Sequence, residues 1–265
     1  MVHPQSFFDE KLKGIDFSQN LLPFFHSCDA FFFRSILMEK KLHPLNCTVF
    51  ENEKLLYLFY GRPAYKSSNN ASSGLNALLP VSFIVKADAI ESIKRIAPFD
   101  TGAYNIGLYK EYMHPKMEMK HFFLTPHKTS ICKVISYFFE TNERYYNGRP
   151  KREVEFDSMD FELQSYFELI KGVGQSKTDD RKASIELQLC SELQLSANTI
   201  EAIIMPEIFI QSKVAEDIVI NELKAEVITY ESYGIPSDLY YSEILSLTKN
   251  YLVKKEYMYA RKSIL

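Results

Sequence analysis

The chain has 265 residues, 46% of them apolar and 25% charged, with a formal net charge of -3. That is the balance of a globular protein able to bury a core without disulfides or a structural metal. Nine Gly and 11 Pro are too few for a collagen-like, linker-like or low-complexity chain, and the mild acidity leaves room only for a local basic rim. The start, MVHPQSFFDEKLKG, has no basic segment followed by an apolar one, so no signal peptide is expected. No apolar run approaches the roughly 18 residues of a membrane span, so no membrane partner is expected either. Cys28, Cys47, Cys132 and Cys190 never form C-x-x-C, which reads as reduced thiols in a cytoplasmic protein.

In chain order, Leu21 to His26 predicts a strand. Ser27 or Asp29 can then cap a helix that buries Phe32, Phe33, Ile36 and Leu37. Lys54 to Tyr60 (KLLYLFY) predicts a strand apolar on both faces, running into the turn Gly61-Arg62-Pro63-Ala64-Tyr65. Pro80 to Val85 predicts a third strand, followed by a short helix through Ile90 and Ile93. Pro98 to Tyr104 reads as an ordered loop. A helix is marked from Thr125-Pro126, with Pro at its first position and Ile131, Val134, Ile135 and Phe138 at helical spacing. Arg144 to Arg152 and Gly172 to Lys182 read as mobile basic segments. Ala183 to Cys190 alternates polar and apolar residues, placing Glu186 and Gln188 on one face. Thr199 to Met205 predicts a strand, Val214 to Leu223 a helix and Ala225 to Tyr230 a strand, before a last helix capped by Ser237. The mixture without strict alternation predicts an α+β fold, one domain over 1–265 with a helical insertion at about 105–180.

Several motifs are set aside. Gly172-Val173-Gly174-Gln175-Ser176-Lys177-Thr178 lacks the glycine before the lysine of a phosphate-binding loop. His114, His121 and His127 are seven and six residues apart with no C-x-x-C pair near them, so no metal is expected. No G-x-S-x-G elbow exists.

Three polar features remain, at or within apolar strands: Phe25-His26-Ser27, Tyr60-Gly61-Arg62-Pro63-Ala64-Tyr65, and Ser184-Ile185-Glu186-Leu187-Gln188. Singly, each has a structural explanation: a satisfied strand-end His, a solvent-exposed turn Arg, a Glu on a wet face. In order, they carry more. LLPFFHSCDAFFFRSILMEKKLHPL resembles the opening of ADP-ribosyltransferases of the DarT type, a strand ending in His and a small hydroxyl residue before a helix. KLLYLFYGRPAY is similar to that family's second block, a strand delivering an Arg into a small-residue turn with an aromatic. ASIELQLCSELQLSANTIEAIIMP is similar to the third, where a catalytic Glu heads a strand. The resemblance spans about 20–65 and 180–210, under half of the chain. The size also suits RNA-modifying phage-defence enzymes of the CmdT type.

The resemblance implies an ADP-ribosyltransferase-like split mixed sheet with flanking helices, and NAD as substrate. Glu186 would stabilise the oxocarbenium-like transition state as the nicotinamide–ribose bond breaks. His26 and Ser27 would hold the nicotinamide ribose and amide. Arg62 would act close to the reaction centre, on the pyrophosphate or the acceptor, and Tyr60 or Tyr65 would stack on nicotinamide unless it is simply core. Gln188 lies two residues after Glu186, whereas the family's partner residue lies before it, which leaves the acceptor open. Arg149, Lys151, Arg152, Arg181 and Lys182 offer charge to a nucleic-acid acceptor, RNA or single-stranded DNA, with Tyr145 and Tyr146 to stack bases. Nucleic acid is favoured over protein. The function expected is a bacterial toxin or phage-defence effector, with an antitoxin as the partner of a toxin. The competing expectation is a catalytically inactive nucleic-acid-binding or protein-interaction module on the same fold.

Overall fold

Residues 6–64, 74–172 and 181–259 are described by a computed structural model. Its first half holds α1 (Phe7–Leu12), β1 (Phe24–Asp29), α2 (Ala30–Glu39), β2 (Lys41–Leu42), β3 (Leu45–Asn46), β4 (Lys54–Tyr60), β5 (Pro80–Val85), β6 (Arg95–Ala97) and α3 (Thr101–Asn105). There follow α4 (Lys128–Phe138), α5 (Asn142–Tyr146), α6 (Phe161–Lys171), β7 (Glu186–Leu189), β8 (Leu193–Gln194), β9 (Ile200–Pro206), α7 (Lys213–Ala215), β10 (Glu226–Tyr230) and α8 (Tyr241–Lys254). The protein is a mixed α+β fold. Two compact units form, each from discontinuous segments. The first comprises Met1–Leu21, Asn46–Lys54 and Ile93–Cys190, and the second comprises Leu22–Leu45, Leu55–Ser92 and Ser191–Leu265. Among the described residues no helix is long and apolar enough to cross a membrane.

The second unit is built on a sheet of order β10-β9-β5-β1-β4. β1 runs antiparallel to β5 along its whole length, from Phe24 opposite Val85 to Asp29 opposite Pro80, and antiparallel to β4 on its other side. β9 is antiparallel to β5 and parallel to β10, so the sheet is mixed. β5 is buried at every residue, which explains why its sequence, PVSFIV, hardly alternates. Asp29 occupies the N-cap position of α2, and Lys40 ends that helix in the left-handed conformation. The helix buries Ala30, Phe33 and Leu37, while Phe31 and Phe32 point outward. The sequence expectation that Phe32 is buried is therefore corrected: the stripe runs i, i+3, i+7 from Ala30, one residue away from it. The helix expected over 214–223 is the single turn of α7 running into a π-helical stretch, Glu216–Glu222. Ser237 opens a 3₁₀ turn ahead of α8 rather than capping it.

The first unit has an aromatic core beneath short helices. Phe8 of α1 stacks on Phe138 of α4 and meets Tyr166 of α6 and Phe122 edge-on or tilted. α1 is fixed at both levels: Ser6 caps it by accepting from the Asp9 N–H, and Asp9 accepts from the Thr125 N–H and hydroxyl. α4 starts two residues later than expected: Lys128, not Pro126, is its first residue, because the His127 side chain caps it by accepting from the Thr129 N–H. The helix expected through Ile90 and Ile93 is only a 3₁₀ turn over Ala87–Ala89, after which the chain enters β6. Arg144 to Arg152 contains α5, and both Tyr145 and Tyr146 are buried. Tyr145 accepts from the Ile185 N–H and sets its ring edge-on to Phe139. These two rings belong to the core, so the expectation that they stack bases is withdrawn. The described residues of the stretch about 105–180, 105–172, lie in this unit.

Candidate functional site

β7 carries the carboxylate singled out by sequence. It pairs antiparallel with β6, with Ala97 opposite Glu186, Ile96 opposite Leu187 and Arg95 opposite Gln188. Because side chains alternate, Glu186 and Gln188 share a face with Ala97 and Arg95. That face is not wet: all four residues of β7 are buried, and Glu186 is 1% exposed. The alternation thus reports a polar face closed over by protein rather than one in solvent.

Two of the three donors to Glu186 come from Thr101, the first residue of α3, and the third from Gln188 on β7 itself. Asp100 caps α3 by accepting from the Ala103 N–H at 2.7 Å, which presents Thr101 to the strand. The Thr101 N–H donates to Glu186 Oε2 at 2.9 Å, and its hydroxyl donates to Oε1 at 2.7 Å. Gln188 Nε2 donates to the same Oε1 at 2.6 Å. Behind Gln188, Arg95 Nη1 donates to Gln188 Oε1, while Arg95 Nη2 spans both oxygens of Glu53 at 3.1 and 3.2 Å. The guanidinium lies 3.9 Å from the centre of the Phe50 ring, and Lys94 Nζ reaches Glu53 at 3.0 Å. Burial, reinforced by the nearby Asp100 charge, pushes the Glu186 carboxyl up to about 8 against the pull of its hydrogen bonds. Asp100 itself is ion-paired with Arg181 at 3.5 Å.

The second unit positions His26, Ser27 and Arg62. His26 Nδ1 lies 3.0 Å from the Tyr57 carbonyl. A carbonyl only accepts, so Nδ1 carries the proton and Nε2 is left as an acceptor. Burial holds the imidazole below its ordinary pKa, partly offset by that hydrogen bond, which keeps the ring neutral. Ser27 faces Ser82 across the β1–β5 register, their hydroxyls 2.6 Å apart. Gly61 takes φ +63° at the end of β4 and donates its N–H to Pro23. A Cβ there would stand 2.5 Å from Leu22 Cδ1, so both backbone and space demand glycine. That turn delivers Arg62, which is 3% exposed rather than solvated.

Tyr60 is wholly buried; its hydroxyl accepts from the Leu22 N–H and its ring meets Phe24 edge-on, which makes it a core residue. Tyr65 and the 173–178 part of the glycine-containing loop lie outside the described residues. Of the basic residues, Arg149 and Arg152 are exposed and Lys151 is half-exposed. Lys182 is buried, donating to the Gly172 carbonyl at 3.1 Å and lying over Tyr112. Lys182 is therefore removed from the basic rim, and Arg181 is engaged with Asp100. Burial raises the Cys28 thiol to about 12 and the Cys132 thiol to about 11, so neither is an activated nucleophile. Among the described residues no group of three or more His, Cys, Asp or Glu could hold a metal ion.

Sequence reasoning missed Thr101, Arg95 and Glu53. The signal for the first was present in Phe99-Asp100-Thr101-Gly102, an Asp with N-cap character opening a short helix. No family model, curated protein or solved structure matches this chain.

Proposed function

We propose that the chain is an NAD-dependent ADP-ribosyltransferase, a toxin or phage-defence effector that modifies nucleic acid inside a bacterial cell. An ADP-ribosyltransferase-like sheet is part of this proposal. The observation that carries it is the Glu186 carboxyl, buried, held by three donors and pushed up to about 8. Keeping an acid in such a place costs stability, and strongly perturbed buried acids cluster at functional sites.

Breaking the bond between nicotinamide and ribose develops positive charge on the ribose, as in glycoside cleavage. A preorganised carboxylate beside it stabilises that charge without reorganising. The nicotinamide ring of NAD is itself cationic, and a cation beside Glu186 favours its ionised form. Neutral His26 supplies Nε2 as an acceptor for a ribose hydroxyl or the carboxamide N–H. Arg62 supplies a guanidinium suited to the pyrophosphate. Arg149, Lys151 and Arg152 are the cations left to meet a nucleic-acid backbone.

One observation favours a second reading. Both oxygens of Glu186 already have donors within the protein, as they would in a binding module that keeps the fold without turnover. Incubation with labelled NAD and, separately, RNA, single-stranded DNA and cell protein, beside Glu186→Gln, separates the two. The proposal predicts label on RNA or single-stranded DNA that the substitution abolishes. Label on protein alone would replace the acceptor, and no nicotinamide release with any acceptor would overturn the enzyme in favour of the module.

A further inference from the structure

We propose that Thr101 and Gln188 are positioning residues that aim the Glu186 carboxyl, and that Arg95 sets which end of the Gln188 amide meets it. This rests on the reading of Glu186 as the reaction's carboxylate. The argument is geometric. Thr101 grips the carboxyl with one donor per oxygen, N–H to Oε2 and hydroxyl to Oε1, which fixes the plane of the group as well as its place. Rotation of the Glu186 side chain breaks both at once.

The amide orientation follows from donor chemistry. A guanidinium has donors only, so Arg95 claims the oxygen of Gln188 and turns the NH₂ toward Glu186. Arg95 cannot swing away, because Glu53 holds it from one side and the Phe50 ring lies against its plane. Ala97, opposite Glu186 in the β6–β7 register, is too small to crowd the carboxyl. Within the chain Glu53–Arg95–Gln188–Glu186–Thr101, Arg95 donates outward to both Glu53 and Gln188, and Gln188 and Thr101 both donate inward to Glu186. The charged groups around Glu186 are Asp100, with Arg181 upon it, and Arg95, with Glu53 and Lys94 behind it.

The test compares Thr101→Val, nearly equal in volume, with Thr101→Ser, which keeps the hydroxyl. Removing a donor to the ionised form moves the rising limb of nicotinamide release against pH upward by about one unit, with KM for NAD unchanged. Thr101→Ser restores the wild-type limb. Gln188→Glu, which puts an acceptor where the amide donates, moves the limb further in the same direction. A second readout needs no turnover: the ¹³C chemical shift of the Glu186 carboxyl, titrated without NAD, moves upward by a similar amount in Thr101→Val. A rate lowered by the same factor at every pH, with the carboxyl titration unmoved, would overturn the positioning role and leave Thr101 merely structural. Should the wild-type protein release no nicotinamide while the carboxyl titration still shifts, the enzymatic reading fails and the hold of Thr101 on Glu186 stands.

Discussion

The polar groups of the two units are satisfied in different ways. In the second unit they follow the ladder: Ser27 bonds Ser82, its direct register partner, and His26 bonds a main-chain carbonyl of β4. In the first unit only Arg95 and Gln188 are register partners. The other donors to Glu186 arrive from Thr101, 85 residues away along the chain and outside any strand. A ladder contact is lost at modest cost because only one neutral side-chain pair is broken while the backbone ladder on either side stays intact. A buried network assembled from distant parts of the chain fails as a unit, since each member leaves its neighbour unsatisfied.

The pH dependence of stability offers the largest way to break this comparison. The folded-state pKa of Glu186, about 8, stands above its ordinary value of 4.5. Its favourable contribution is therefore complete below about pH 4.5 and is lost as pH rises through about 8. Urea unfolding of the wild type beside Glu186→Gln from pH 5 to pH 9 will show the wild type losing ground by on the order of 4 kcal/mol at most. A constant difference would mean that Glu186 is charged throughout. Next in size, Arg95→Ala leaves the buried Gln188 oxygen without its donor and Glu53 with Lys94 as its cation, and costs about 2 kcal/mol, read as a lowered urea midpoint. A loss under 1 kcal/mol would show that the chain behind Gln188 is not one network.

In the second unit Ser27→Ala leaves the Ser82 hydroxyl, fully buried, without its neighbour and costs about 1 kcal/mol. The double change Ser27→Ala with Ser82→Ala recovers part of that, which a double-mutant cycle in urea measures. Full additivity would mean that the two hydroxyls do not interact. The smallest effect belongs to α2: Phe32→Ser alters an exposed ring and stays within about 0.5 kcal/mol. A larger loss would return Phe32 to the core.

The same contrast explains what the sequence made legible. β5 coincides with the predicted Pro80–Val85, and β4 with Lys54–Tyr60, because uninterrupted apolar runs have few alternatives. Glu186 and Gln188 share a strand face, as period-two alternation alone determines. Alternation does not say what covers the face, so a closed polar network reads the same as a wet one. Tyr145, Tyr146 and Lys182 looked available for nucleic acid because aromatic and basic residues in a polar segment carry no mark of burial. Tyr145 is placed by Phe139 and Ile185 and Lys182 by Gly172, contacts invisible to local pattern. Arg62 escaped the usual fate of a turn arginine through Gly61, whose left-handed backbone turns the chain back beside Leu22.

The most direct test of the account is the initial rate of nicotinamide release from NAD by the wild-type protein and by Glu186→Gln, with folding of both checked by circular dichroism. The account predicts release by the wild type and a fall of at least about a hundredfold in the variant, the scale of removing one preorganised stabiliser of transition-state charge. A variant that releases nicotinamide at the wild-type rate, or a wild type that releases none, would contradict it.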